Sequence, residues 1–408
     1  MKEYIRWAKK SVENALKTRR VIIISGARQV GKTTLTKQSV SKNAVFRTLD
    51  DTNLLDTASQ DPKGFLEHKE KTLVIDEIQK APILLPTIKM VVDKDNAPGQ
   101  FVLTGSSDVL SNPNIKESLA GRVKNIRLRG LTEGEIRGSK PTFIERLFKL
   151  DFPTQIKGCS KSAVLEIALR GGYPEIINFS KSDRKSWHKD YLNSLIEHDL
   201  KDIANIKNED AIRQIIKILS AWSSKYMDIN GICSSCGISK PTVNEYISLI
   251  ERMYLCERLH PWTNSDYKMI GRTDKMYMTD TGLMATILGW HYDDIHLDAD
   301  KYGKLIETYV FNELSAQIDL NLDYTLHHYR DRRDKEIDFI IENDNGDMVA
   351  VEVKGGSRVT KDDFNNIVWF KENLAKEKKF KGVILYSGED TISFGKDLIA
   401  TPIANLWI

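Results

Sequence analysis

Apolar residues recur at helical spacing in residues 2–18, where Ile5, Ala8, Val12 and Ala15 share one face. After that the pattern alternates between short apolar runs and amphipathic stretches. Residues 21–25, 44–49, 72–76, 101–104 and 123–129 read as strands, and 32–40 reads as a helix. Short apolar strands separated by helices predict a parallel sheet covered on both faces, hence an α/β fold. From about Pro141 the alternation stops, and residues 142–260 read as mostly helical, punctuated by Gly171-Gly172-Tyr173-Pro174. Strand patterns return at 276–278, 325–330, 336–342, 348–354 and 383–386, flanked by helices at 303–317 and about 361–376. The expected division is a parallel-sheet domain at 1–140, a helical region at 141–265 and a mixed α/β domain at 266–408.

Composition narrows the class. A chain of 408 residues can bury two or three cores. Hydrophobic content of 41% and charged content of 29% argue against long disorder. The balance of 60 Lys+Arg to 57 Asp+Glu neither demands nor excludes nucleic acid, because a local basic groove can hide in it. No apolar run approaches the ~20 residues that span a bilayer, so no membrane partner is expected. The N-terminus lacks the apolar core of a secretory signal, and four cysteines suit a reducing compartment; the expected location is cytoplasmic.

The first candidate site follows the first strand. Gly26-Ala27-Arg28-Gln29-Val30-Gly31-Lys32-Thr33 fits G-x-x-x-x-G-K-[ST], with a strand before it and a helix after it. Glycines let backbone N–H groups turn toward phosphate, and the helix N-terminus adds positive character. Lys32 would reach the β- and γ-phosphates of ATP, and Thr33 would hold Mg²⁺. Leu73-Val74-Ile75-Asp76-Glu77 ends an apolar strand in two acids, Asp76 for the metal's water shell and Glu77 for activating water. Thr104 or Ser106 could sense the γ-phosphate, or could simply close a strand-end turn. Arg122 could neutralise transition-state charge, in cis or from a neighbouring copy; a surface arginine is the other reading.

These motifs carry a resemblance. Strand–GxxxxGKT–strand–hhhhDE–hhLTGSS–AGR resembles the AAA+ superfamily, in the division whose catalytic Glu follows the metal-binding Asp. More closely, residues Gly26 to Thr34, Leu103-Thr104-Gly105-Ser106-Ser107, Gly121-Arg122 and Arg170-Gly171-Gly172-Tyr173-Pro174-Glu175 resemble a large prokaryotic family. That family joins such an ATPase to a C-terminal domain of unknown function with a restriction-endonuclease-like core, and the resemblance spans nearly the whole chain. It implies the standard roles for Lys32, Thr33, Asp76 and Glu77. In one departure, AAA+ proteins often carry Asn where Thr104–Ser106 stands.

The middle region holds a helix-turn-helix pattern within about 210–262. Ser239 reads as an N-cap, Pro241 suits the first turn, and Val243, Ile247 and Ile250 recur at helical spacing. Lys240, Thr242 and Asn244 would read DNA if this is a winged helix on the major groove. A structural or protein-binding winged helix is the other reading. Cys233 and Cys236 form a lone CxxC without a second pair, so they read as small core residues, and His327-His328 reads as structural.

The second candidate site is a hairpin. Asn343-Asp344-Asn345-Gly346 carries the Asn-Gly signal, and a register centred on Asn345 sets Asp338 opposite Glu352, with Lys354 on the same face. Ile337, Phe339, Val351 and Val353 would form the opposite, core face. Glu307 lies on an apolar helical stripe with Val310, Phe311 and Leu314, and an acid there needs a partner. This arrangement resembles the PD-(D/E)xK nuclease core. The resemblance implies metal at Asp338 and Glu352 and catalysis by Glu307, Asp338, Glu352 and Lys354. Arg330, Arg332, Arg333 and Lys335 precede the hairpin and could grip phosphates. An inactive scaffold stays the alternative. The sequence as a whole predicts an ATP- and Mg²⁺-dependent ATPase partnered with DNA, a homo-oligomer or another protein.

Overall fold

A computed structural model of the chain describes residues 3–106, 121–199, 208–264, 273–331 and 335–408. It divides into two compact units, Met1–Gly130 with Arg252–Leu255, and Leu131–Glu251 with Cys256–Ile408. The helical and mixed regions that the sequence separates thus fall in one unit.

The first unit is built on β1 (Val21–Ser25), β2 (Val45–Thr48), β3 (Leu73–Asp76), β4 (Phe101–Gly105) and β5 (Val123–Arg127), in the order β2-β3-β4-β1-β5. All neighbours are parallel, so the chain crosses over between them, and the described crossovers after β1, β2 and β3 carry the helices Lys32–Ser39, Thr52–Gln60 and Leu84–Lys94. Every residue of β1 is buried, the consequence of helices on both faces. Val21, Ile23, Leu73, Ile75, Phe101 and Leu103 pack with Leu84, Leu85, Ile88 and Val92 of the helix Leu84–Lys94. The helix expected over 2–18 begins only at Ala8.

In the second unit a three-stranded sheet joins β6 (Lys225–Tyr226), β7 (Cys256–Leu259) and β8 (Lys275–Met278), in the order β6-β8-β7. Helices Glu209–Ala221, Ile229–Cys236 and Lys240–Arg252 are interleaved with it in sequence. The stretch expected to be mostly helical therefore contains two strands, β6 and β7, too short for periodicity to reveal.

A six-stranded mixed sheet follows, from β9 (Tyr324–Arg330), β10 (Glu336–Asn343), β11 (Met348–Lys354), β12 (Phe380–Tyr386), β13 (Ile392–Gly395) and β14 (Leu398–Pro402), in the order β13-β14-β12-β11-β10-β9. The β10–β11 register runs from Phe339↔Val351 to Glu342↔Met348 and is centred on residue 345, and Gly346 takes the positive φ of 77° that the turn needs. Between Ile337 and Ile340 the pairing to β9 shifts, so two residues, Asp338 and Phe339, stand against one, His328. This bulge corrects the expected two-faced pattern. Ile337 packs with Ile340 and Ala350, whereas Phe339 packs toward Tyr277 and Phe311, so apolar residues cover both faces.

Candidate functional site

The loop between β1 and the helix Lys32–Ser39 is shaped by backbone sterics. Gly26 has φ 154°, and a Cβ there would stand 2.1 Å from the Leu128 carbonyl oxygen, so only glycine fits. Gln29 and Gly31 also take positive φ, 61° and 95°. Lys32, 6% exposed, donates from Nζ to the carbonyl oxygens of Gly26 and Ala27 at 3.0 and 2.9 Å. Arg28, Thr33 and Gly31 are partly exposed, Gln29 and Thr34 exposed, and Ala27 and Val30 buried. Arg6 braces the loop from outside the motif. Its guanidinium donates to the carbonyls of Val30 at 2.7 Å and Arg129 at 2.6 Å.

At the end of β3, Asp76 accepts from Thr33 Oγ1 at 3.0 Å through Oδ2 and from Thr104 Oγ1 through Oδ1. Glu77 follows in the left-handed region, φ 58°, an unusual conformation for a non-glycine residue. Its Oε2 accepts from Ser106 Oγ at 3.1 Å and from Gln79 Nε2, and Gln79 Nε2 also donates to Ser106 Oγ at 3.0 Å. The two hydroxyls read as alternative sensors therefore differ: Thr104 holds Asp76, and Ser106 holds Glu77. Arg6, bonded to the loop, and Gln79, bonded to Glu77, are neighbours that the sequence reading misses. Gln79, two residues past Glu77, was within reach of a motif-based reading, whereas Arg6 lies 24 residues before Val30.

Arg122 lies at the other edge of the sheet. Val21 N–H donates to its carbonyl, so it stands at the N-terminal end of β1, while the loop leaves the C-terminal end. Five residues of strand, roughly 16 Å of backbone, separate the two. A role in cis is thereby corrected. Its guanidinium pairs with Asp93 (Nε to Oδ1 at 2.5 Å, Nη2 to Oδ2 at 3.1 Å), and that hydrogen bonding holds the Asp93 carboxyl below its ordinary range. Ser107, with residues 118–120 that precede Gly121, lies outside the described residues.

In the second unit the acids gather around a lysine that the sequence did not single out. Lys275, 1% exposed on β8, directs Nζ to Glu336 Oε1 at 2.7 Å, Glu307 Oε1 at 2.9 Å and Asp338 Oδ1 at 3.2 Å. Tyr277 Oη donates to Glu307 Oε1 at 2.7 Å. The β10–β11 ladder ends at Phe339↔Val351. Beyond it Val353 N–H donates to the Asp338 carboxylate at 2.9 Å. Asp338 and Glu352 are each 8% exposed, and Glu352 Oε1 is buried without a hydrogen-bond partner. Burial, then the neighbouring Asp338, pushes the Glu352 carboxyl well above its ordinary value and Glu307 up to about 7. Burial alone would lower the Lys275 ammonium, but Glu307, Tyr277, Asp338 and Glu336 together hold it well above its ordinary value.

This donor set does not leave a divalent ion a place. A metal would need several carboxylate oxygens at about 2.0–2.6 Å, and the ammonium stands among them. Among the described residues no group of three or more His, Cys, Asp or Glu side chains is disposed to hold a metal. The metal role expected for Asp338 and Glu352 does not match this geometry. Lys354 lies apart from Lys275's contacts, more than a third exposed and 3.8 Å from Asp363. Arg330 stacks its guanidinium over Tyr226, 4.3 Å from the ring centroid, and Lys335 bonds Asp331 through the backbone. Arg332 and Arg333 lie outside the described residues.

Elsewhere the chemistry is structural. Asp280 caps the helix Thr281–Leu288 and also accepts from Gly172 N–H at 2.7 Å. Arg170 pairs with Glu133, and all four cysteines are free thiols.

The sheet order and the phosphate-type loop define the first unit as a P-loop ATPase fold, and residues 18–137 match the family described as an AAA domain. Residues 161–294 and 302–406 match two domains of unknown function, DUF8612 and DUF4143. Relatives include uncharacterized protein Rv2008c of Mycobacterium tuberculosis and uncharacterized protein Mb2031c of Mycobacterium bovis. Each is 28% identical over 334 residues, covering 81% of this chain and 69% of the relative. Similar solved structures include the RuvB Holliday junction branch migration motor of Thermotoga maritima, 18% identical over 62% of this chain and 88% of that one, TM-score 0.28. A STAND-class signal transduction ATPase of Pyrococcus horikoshii is 15% identical over 77% of this chain and 46% of that one, TM-score 0.23. No described helix is long and apolar enough to cross a membrane.

Proposed function

We propose that the chain is an Mg²⁺-dependent ATP hydrolase whose nucleotide cycle controls a DNA-binding second unit. The observation that carries the hydrolase reading is the hydrogen bond from Thr33 to Asp76, 3.0 Å, with Lys32 held 2.9–3.0 Å from the loop carbonyls. It joins the start of the loop's helix to the end of β3, where such a site needs both ends of one metal clamp. Residues Gly26 to Thr34 would wrap the phosphates, with Lys32 donating to their oxygens. Mg²⁺ at Thr33 and Asp76 would neutralise phosphate charge. Glu77 would take the proton of the attacking water, kept in place by Ser106 and Gln79. Steady-state hydrolysis of ATP with Mg²⁺ tests this: Glu77→Gln should lower kcat by about 10²–10⁴-fold while nucleotide still binds. Unchanged turnover would refute the assignment. Arg122 would act only on the nucleotide of a neighbouring copy, which makes a homo-oligomer part of the proposal.

The DNA reading is supported by the order helix, strand, helix, helix, strand, strand over residues 209–278, that of a winged helix. Lys240 and Asn244 are exposed on its second inner helix and Thr242 partly so. Binding to duplex DNA should weaken steeply as salt rises. Two readings of the C-terminal acids compete. In one, Glu307, Asp338, Glu352 and Lys354 cut phosphodiesters. In the other, a nuclease-like scaffold binds DNA or protein without cutting, and ATP acts as a regulatory switch. The ammonium of Lys275 among the acids favours the second.

A further inference from the structure

The acid cluster contains more negative charge than a buried site tolerates unaided. Four carboxylates, Glu307, Glu336, Asp338 and Glu352, arrive from the helix Ala299–Ile318, from β10 and from β11. Lys275 reaches them from β8, which places it 32 residues before Glu307 and 63 before Asp338. An ammonium has three N–H donors, and Lys275 finds three carboxylate oxygens within 2.7–3.2 Å. Its backbone is fixed, since β8 is paired on both sides, Lys275 standing opposite Tyr226 and Leu259. The ammonium thus has every partner it can use. The acids do not: Glu352 Oε1 is buried and unpartnered beside them. A carboxylate oxygen left without a donor in such a place costs free energy unless a cation or proton faces it.

We propose that this cluster is a cation site whose resident cation is the Lys275 ammonium, which shuts a divalent metal out; Glu307, Asp338 and Glu352 are not disposed to hold a metal as they stand, and would close on one only when that ammonium is removed. The two cations are mutually exclusive because they would use the same oxygens. This deepens the non-cutting reading of the C-terminal acids, and it does not depend on the ATPase assignment. If that assignment fails, the failure shows in the turnover of the Glu77 variant and not in metal binding here.

The test is Mn²⁺ binding to the full chain without nucleotide, followed by the free-ion electron paramagnetic resonance signal and by thermal unfolding. Asp338→Asn distinguishes this cluster from Thr33 and Asp76. The wild type should show no Mn²⁺ binding that Asp338→Asn removes. Lys275→Ala should unfold at lower temperature in EDTA, recover on adding Mn²⁺, and bind Mn²⁺ at least ten-fold more tightly than the wild type. The double variant Lys275→Ala/Asp338→Asn should lose that gain. If Lys275→Ala does not fold in EDTA, refolding in Mn²⁺ is expected to rescue it. Asp338-dependent Mn²⁺ binding by the wild type would overturn the proposal. So would a Lys275→Ala protein that gains neither binding nor rescue.

Discussion

Glu77 illustrates what a single residue contributes in the first unit. It sits at φ 58°, a conformation that costs on the order of 1–3 kcal/mol for a residue with a side chain, and it is held by Ser106 and Gln79. On the proposed mechanism those two neighbours position Glu77, so their loss should act on the step that uses Glu77 and not on binding. Gln79→Ala is expected to lower kcat about ten-fold while the KM for ATP stays within about two-fold; equal losses in both would contradict the role. Arg6 acts on the loop instead. It is 7% exposed and donates to the carbonyls of Val30 and Arg129, so Arg6→Ala strands one buried and one half-buried acceptor. Unfolding by denaturant should show a loss of about 2–4 kcal/mol, and a value near zero would show that the loop does not need the brace.

At the scale of elements, the helix Ala299–Ile318 buries a second acid one turn and a half beyond Glu307. Glu313, 3% exposed, accepts from the Glu133 N–H at 2.8 Å through Oε1 while Oε2 has no partner, and burial pushes its carboxyl up to about 8. The folded chain therefore keeps a proton that the unfolded chain releases near pH ~4.3. Glu313 should make stability fall as pH rises from about 4.3 to about 8, at up to about 1.4 kcal/mol per pH unit, and not change further above that. Glu313→Gln should flatten the slope in that window, as followed by unfolding midpoints; an unaltered slope would contradict it. The elements themselves were unevenly legible. The β1 loop and β3 were clear because apolar runs end in Gly26 and Asp76, where local chemistry and position agree. The β10–β11 register was clear because Asn345-Gly346 fixes its centre. The bulge at Asp338 was not, since one extra residue leaves the apolar pattern of β10 looking regular. β6 and β7, two and four residues long, give periodicity nothing to act on.

Across the whole molecule, the ATPase class follows from one contiguous stretch of chain, which is why sequence alone reached it. The acid cluster is assembled from β8, a helix and two strands, and its cation comes from an element that reads merely as a short strand. Lys275 gave no local signal; a lysine beside Met276 and Tyr277 resembles any strand-end charge until the fold brings Glu307 and Asp338 to it. Arg122 misleads in the opposite sense, because its motif position suggests a place at the nucleotide and the strand direction puts it at the far edge. The central claim is that the first unit hydrolyses ATP through its loop lysine. The most direct measurement is steady-state ATP hydrolysis with Mg²⁺ by the full chain and by Lys32→Ala. Turnover in the wild type, abolished in Lys32→Ala, is the predicted result; turnover that survives the substitution would contradict it.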